Sequence, residues 1–128
     1  MGKKAISTTE APQAIGPYSQ AIQAGQFLFL SGQIALDPKT GTVVSGDVVE
    51  QTHRVMKNLK AVLAAAGASL ENIVKTTIYL KKLTDFVRVN EVYGTYFEKE
   101  PPARATVEVS NLPKGVDVEI EAIAYLGN

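Results

Sequence analysis

The order of elements legible in this chain is strand, strand, helix, strand, helix, strand, strand, which predicts a two-layer α+β domain with both helices on one face of a sheet. Three observations carry that expectation. Residues 103–110 and 116–125 alternate apolar and polar side chains with the period of a half-buried strand. Residues 47–66 and 84–97 repeat apolar side chains every three or four positions, and no repeat, low-complexity tract or linker divides the 128 residues. A chain of this length fits one domain, residues 1–128, with a core of useful size.

After a polar start, residues 19–24 and 27–34 read as two strands about Gly25 and Gln26, a hairpin signal. Phe27, Leu28, Phe29 and Leu30 are apolar on both parities, so both faces of the second strand need cover. Ser31 and Gly32 interrupt it. A glycine there marks either a bulge or a place where a backbone or ligand comes close.

Asp37 to Gly41 is a turn by composition. Asp47 caps the first helix, which runs to about Ala66 and stops at Gly67. Its apolar stripe is Val48, Val55, Met56, Leu59, Val62 and Leu63 with their neighbours. His53 lies beside that stripe with no second histidine, and a structural or solvent-facing role suits it best.

Ser69 begins a short helical turn, Ile73 to Leu80 is a strand, and Thr84 or Asp85 caps a second helix through about Phe97. Phe86, Val89, Val92, Tyr93, Tyr96 and Phe97 read as its core stripe. Asn90 falls off it. Ala103 to Ser110 and Val116 to Tyr125 are the last two strands, with the break at Pro113, Lys114 and Gly115.

Two helices cannot cover both faces of such a sheet, yet apolar residues compete for both. An uncovered apolar face is an association surface, so the sequence predicts an oligomer of unstated number.

Composition excludes several classes of function. Thirteen basic and 13 acidic side chains cancel, so no long-range field favours nucleic acid or anionic lipid, and neither is expected as a partner. With no cysteine and one histidine, disulfides, thiol catalysis and multi-histidine metal sites are excluded. The opening residues lack an apolar core of signal-peptide length, and no apolar run is long enough to span a bilayer. A cytoplasmic protein is the expectation.

One constellation carries chemistry. Arg104 and Glu119 project from strands of small and β-branched residues. A guanidinium grips a small organic acid through two parallel charge-assisted hydrogen bonds, and a carboxylate near the acid's reactive carbon can deprotonate a water. On the residues alone, an ordinary cross-strand salt bridge is the simpler reading of the pattern. If the two strands form a simple hairpin, opposed positions sum to a constant. Arg104 and Glu119 share a face only when that constant is odd, and a hairpin centred on Lys114 makes it even.

The same residues carry a resemblance. Residues 102–107 (Pro-Ala-Arg-Ala-Thr-Val), followed by Leu112, Pro113 and Lys114 and then by Val118, Glu119, Ile120 and Glu121, closely resemble the signature of the RidA/YjgF family of reactive intermediate deaminases. Residues 14–20, 31–34 and 85–90 resemble the same family, in family order and across essentially the whole chain.

The resemblance implies a chorismate-mutase-like fold, ββαβαββ in order, whose sheets pack into a central barrel in a homotrimer with active sites between subunits. It implies cofactor-independent hydrolysis of 2-iminobutanoate and 2-iminopropanoate to 2-oxo acids and ammonia, with no metal. Arg104 would hold the substrate carboxylate and Glu119 would activate or steer water. Tyr18 would close the pocket and give a proton or hydrogen bond. Ser31, Gly32, Asn90 and Thr106 would line it, partly through backbone groups.

The chain departs from the pattern in two places. Thr106 stands where many relatives have cysteine, and residues 98–100 form a shorter segment than in some. The family also implies two other readings, a regulatory trimer without enzymatic activity, like regulators of purine synthesis, and an endoribonuclease or translation inhibitor. The presence of Arg104 favours the deaminase.

Overall fold

A computed structural model describes residues 2–127 as a six-stranded sheet with two α-helices, the α+β architecture expected. The strands are β1 (Lys3–Ile6), β2 (Ala21–Ala24), β3 (Phe27–Gln33), β4 (Ile73–Leu80), β5 (Ala103–Glu108) and β6 (Val118–Tyr125), in spatial order β1-β2-β3-β6-β4-β5. The helices are α1 (Val48–Ala65) and α2 (Phe86–Gly94).

Alternation decides the layers. On β4 Thr76, Ile78 and Leu80 are buried, and on β6 Val118, Ile120, Ala122 and Ala124 are buried. Paired residues share a face, and Ile78 opposite Ile120 and Leu80 opposite Val118 meet Met56, Leu59 and Leu63 of α1 in one core. Each of these large side chains contributes about 1.5–3 kcal/mol by leaving water. Asp47 caps α1 by accepting from the Val49 N–H at 3.0 Å, and Gly67 stands at φ +75° just past its end. Gln51 and Asp117 exchange two hydrogen bonds, 2.8 and 3.1 Å, that pin the start of β6 to α1.

Four expectations change. Lys3–Ile6 forms an edge strand on β2, where a polar start was read, because its backbone pairs with β2 although only Ile6 is buried. The strand before Gly25 begins at Ala21, since Ser19 and Gln20 belong to a loop that Gln20 ties down through Thr8 and Pro12. The second helix ends at Gly94 instead of near Phe97.

The fourth change matters most. β5 and β6 do not form a hairpin: β4 lies between them, antiparallel to β6 and parallel to β5. Parallel neighbours need a crossover connection, and α2 supplies it between β4 and β5. The turn at Pro113–Gly115, with Lys114 at φ 56° and Gly115 at φ 66°, then carries the chain past β4 to the far side.

The other face of the sheet has no helix over it. Phe27 (43 %), Phe29 (45 %), Val107 (42 %) and Tyr125 (41 %) stay exposed there, with the Phe27 and Tyr125 rings 5.3 Å apart. No helix among the described residues is long and apolar enough to cross a membrane.

Candidate functional site

The structure brings the expected site residues together as two groups. The first comprises Tyr18, Ser31, Gly32 and Glu119, around a cavity of about 700 Å³ that Lys114 and Glu121 also line. Glu119 lies opposite Tyr79 of β4, on the face without helices, between the buried Val118 and Ile120. Burial raises its pKa above the usual carboxylate value, and the nearby charge of Glu121 raises it further. A carboxylate so placed is a better base toward a bound water.

Gly32 is what admits that carboxylate. The register between β3 and β6 shifts between Leu30 and Gln33, and a Cβ built on Gly32 would collide with Glu119 Oε2. Both readings of the strand glycine therefore hold: a bulge, and a close approach. Ser31 Oγ donates to the Ser19 carbonyl at 2.6 Å, tying the strand to the loop that carries Tyr18. Tyr18 itself is exposed.

The second group comprises Arg104, Asn90 and Thr106. Arg104 lies opposite Thr76, on the helix-covered face of the edge strand β5. Its Nη1 donates to Asn90 Oδ1 at 2.7 Å, and its guanidinium carbon sits 5.2 Å from the centroids of both the Phe86 and Tyr93 rings. Each ring contributes about 0.5–1 kcal/mol at an exposed site. Tyr93 is fixed in turn by a 2.7 Å hydrogen bond between its hydroxyl and Thr76.

Phe86, Asn90 and Tyr93 follow one another at i, i+4 and i+7 along α2, so one ridge of a helix orients the cation. That spacing was the signal for Asn90, which an apolar-only stripe left out. Thr106 shares the face of Arg104, and its Oγ1 is buried without a hydrogen-bond partner. An orphaned hydroxyl of this kind is satisfied by a ligand, a water or another chain.

The salt bridge between Arg104 and Glu119 is not formed, because their register partners Thr76 and Tyr79 have opposite parity on β4. Among the described residues neither has an ion-pair partner, and the cross-element pair is Arg88 with Asp47. Tyr93 is in the core and Phe86, Tyr96 and Phe97 pack against it, and His53 Nδ1 of α1 meets the hydroxyl of Tyr96, just past the end of α2, at 2.7 Å. Pattern reading overlooked Lys114 and Glu121. The parity shared by Glu119 and Glu121 was a signal for the second. Among the described residues no cluster of His, Asp or Glu is placed to hold a metal ion.

The chain is thus an α+β domain with one helical layer, a raised-pKa carboxylate beside a cavity on one face of its sheet and an aromatic-stacked arginine on the other. The chain belongs to the family described as Endoribonuclease L-PSP, whose model matches residues 8–126, and the RidA/YjgF resemblance lies within it. A RutC family protein of Pyrococcus abyssi is 58% identical over 98% of both chains. The mouse protein named 2-iminobutanoate/2-iminopropanoate deaminase is 53% identical, over 98% of this chain and 93% of its own. The crystal structure of E. coli TdcF with bound serine, 43% identical, superposes with a TM-score of 0.92 over 97% of this chain and 99% of that one.

Proposed function

We propose that this protein hydrolyses small reactive 2-imino acids to 2-oxo acids and ammonia, without a cofactor, in a homotrimer whose sites lie at subunit seams. The observation that carries the reading is the contrast between the two groups. Arg104 is oriented by Asn90 and two rings but has no carboxylate partner among the described residues, and Glu119 is held as a strengthened base beside a cavity. One group suits a substrate's anionic end and the other suits a water. The mouse relative's name and the serine bound to TdcF both concern small carboxylic acids, which supports the reading.

In the reaction, water adds to C2 of the imine and its proton passes to Glu119. The imine nitrogen takes up a proton from Tyr18, which lines the cavity, as its π bond is lost. The resulting carbinolamine collapses as its hydroxyl proton returns to Tyr18 and Glu119 gives its proton to the departing nitrogen. The C–N bond breaks while the C2 carbonyl forms, leaving 2-oxobutanoate and ammonia from 2-iminobutanoate, with both side chains restored. A positioned general base contributes roughly 10² to 10⁴, which suffices for an imine that also hydrolyses unaided.

Assembly follows from the open face. Phe27, Phe29, Val107 and Tyr125 are an apolar surface that a second and third copy would cover. A seam that sets Glu119 of one copy near Arg104 of the next completes the site. The test couples a threonine dehydratase to this protein and follows 2-oxobutanoate release against semicarbazide trapping of the imine. Faster release than in buffer supports the reading, and an unchanged rate sinks it. The family's description favours a second reading, RNA cleavage; a nuclease assay on the same preparation, repeated with Arg104→Ala, decides it.

A further inference from the structure

Glu119 is not alone on its side of β6. Glu121, two residues on and hence on the same face, lines the same cavity. Tyr79, directly opposite Glu119 on β4, turns its phenol to the diagonal neighbour and donates to Glu121 Oε2 at 3.1 Å. The cross-strand partner of Glu121 is Thr77, too short to make that contact. One phenol thus stands between two carboxylates and is bonded to one of them.

The other charged or titratable groups around this cluster are few. Tyr18 and Lys114 reach the cavity from the loop before β2 and the turn before β6, and Lys75 of β4 lines the hollow beside Glu121. β3 presents only the uncharged Ser31, Gly32 and Gln33.

Resting on imine hydrolysis as the activity, we propose that Glu121, anchored by Tyr79 on the same face and in the same cavity, is a positioning residue for Glu119, its negative charge favouring transfer of the water proton to Glu119. Glu121 exchanges no proton in the reaction. It acts on the step in which water gives its proton to Glu119. The direction of the Glu119 shift agrees, since burial leads and Glu121 adds to it. The Tyr79 pKa is raised, mainly by burial and then by its bond to Glu121, so the phenol keeps its proton and remains a donor.

The experiment compares wild type, Glu121→Gln and Tyr79→Phe by two readouts: the titration midpoint of the Glu119 side-chain carboxyl, followed by NMR on glutamate-labelled trimer, and the acid limb of kcat/KM for imine hydrolysis. Glu121→Gln is expected to move both to lower pH together, leaving KM nearly unchanged. Tyr79→Phe frees the Glu121 carboxylate and is expected to move them the same way by less. A Glu119 midpoint that stays put in a folded Glu121→Gln protein overturns the proposal, even if activity falls, because Glu121 then acts only on structure. A wild type inert toward imines, with the midpoint still moving, overturns the assigned reaction and leaves the coupling intact.

Discussion

Arg104 and Glu119 stand on opposite faces of one sheet, separated by β4, where Thr76 is in register with the first and Tyr79 with the second. β6 cannot turn over without moving Val118, Ile120, Ala122 and Ala124 into solvent, and β5 is held by its parallel register on β4 with Arg104 on the other face, so one copy of the chain does not bring the two together. A site that uses both must draw them from different copies.

Complementation follows from that geometry. Arg104→Ala and Glu119→Gln proteins, each inactive alone, are expected to recover activity when unfolded together and refolded as mixed oligomers. In random mixtures one pairing in four has both residues intact, so about one quarter of wild-type activity returns. Mixtures as inert as their parents would place the site within single chains and end the seam reading.

Arg104→Lys is expected to lose about tenfold to a hundredfold in kcat/KM, the worth of one charge-assisted hydrogen bond of about 1.5–3 kcal/mol. An ammonium lacks the flat fork that Asn90 and the two rings orient. The loss is expected chiefly in KM. Asn90→Ala, which keeps the cation and removes its guide, is expected to fall between the two. Steady-state kinetics with 2-iminobutanoate checks both, and full activity in Arg104→Lys would remove Arg104 from substrate binding.

Gly32→Ala separates fold from site. Gly32 does not hold a left-handed backbone angle, so alanine is not strained there, but its Cβ meets the end of the Glu119 side chain. A flexible side chain gives way more readily than a strand. The carboxylate is expected to be displaced, cutting kcat by at least tenfold while denaturant midpoints change by less than about 1 kcal/mol in stability. Retained kcat would mean that the position of Glu119 is not critical.

Local physics was legible and long-range pairing was not. The α1 stripe, its Asp47 cap and the Gly67 stop all rest on contacts within a turn or two, and each is found as read. The place of β6 between β3 and β4 depends on the crossover through α2, which no alternation in residues 103–125 encodes. Those residues give a hairpin and a parallel edge strand the same pattern. For the site, the residue types at 104 and 119 suggested an anion grip and a base, while the parity arithmetic rested on a hairpin that β4 interrupts, so their opposite faces follow from the pairing with β4 instead. Asn90 came only from the resemblance, since the apolar pattern does not show a contact to a cation across a strand connection, and Glu121 was hidden because a solvent-facing carboxylate looks ordinary until the Tyr79 phenol is seen on it.

Glu119→Gln is expected to lower kcat by roughly 10² to 10⁴, the contribution of a general base, and at the same time to raise the melting temperature at neutral pH. The second effect follows from the sign of the shift. Burial and Glu121 raise the Glu119 pKa in the folded chain, so the folded state holds this proton more tightly than the unfolded one. The stabilisation linked to that group is therefore present at pH below the unfolded value and is lost as pH rises through the folded value. At neutral pH the wild type carries the full cost of a half-buried charge beside another carboxylate, and a neutral amide of the same shape does not. Melting curves should accordingly converge for the two proteins in acid and separate toward neutrality, with the variant the more stable. A wild type that gains stability over Glu119→Gln as pH rises would show a carboxylate satisfied by its surroundings, which is the opposite of a base kept ready for a proton.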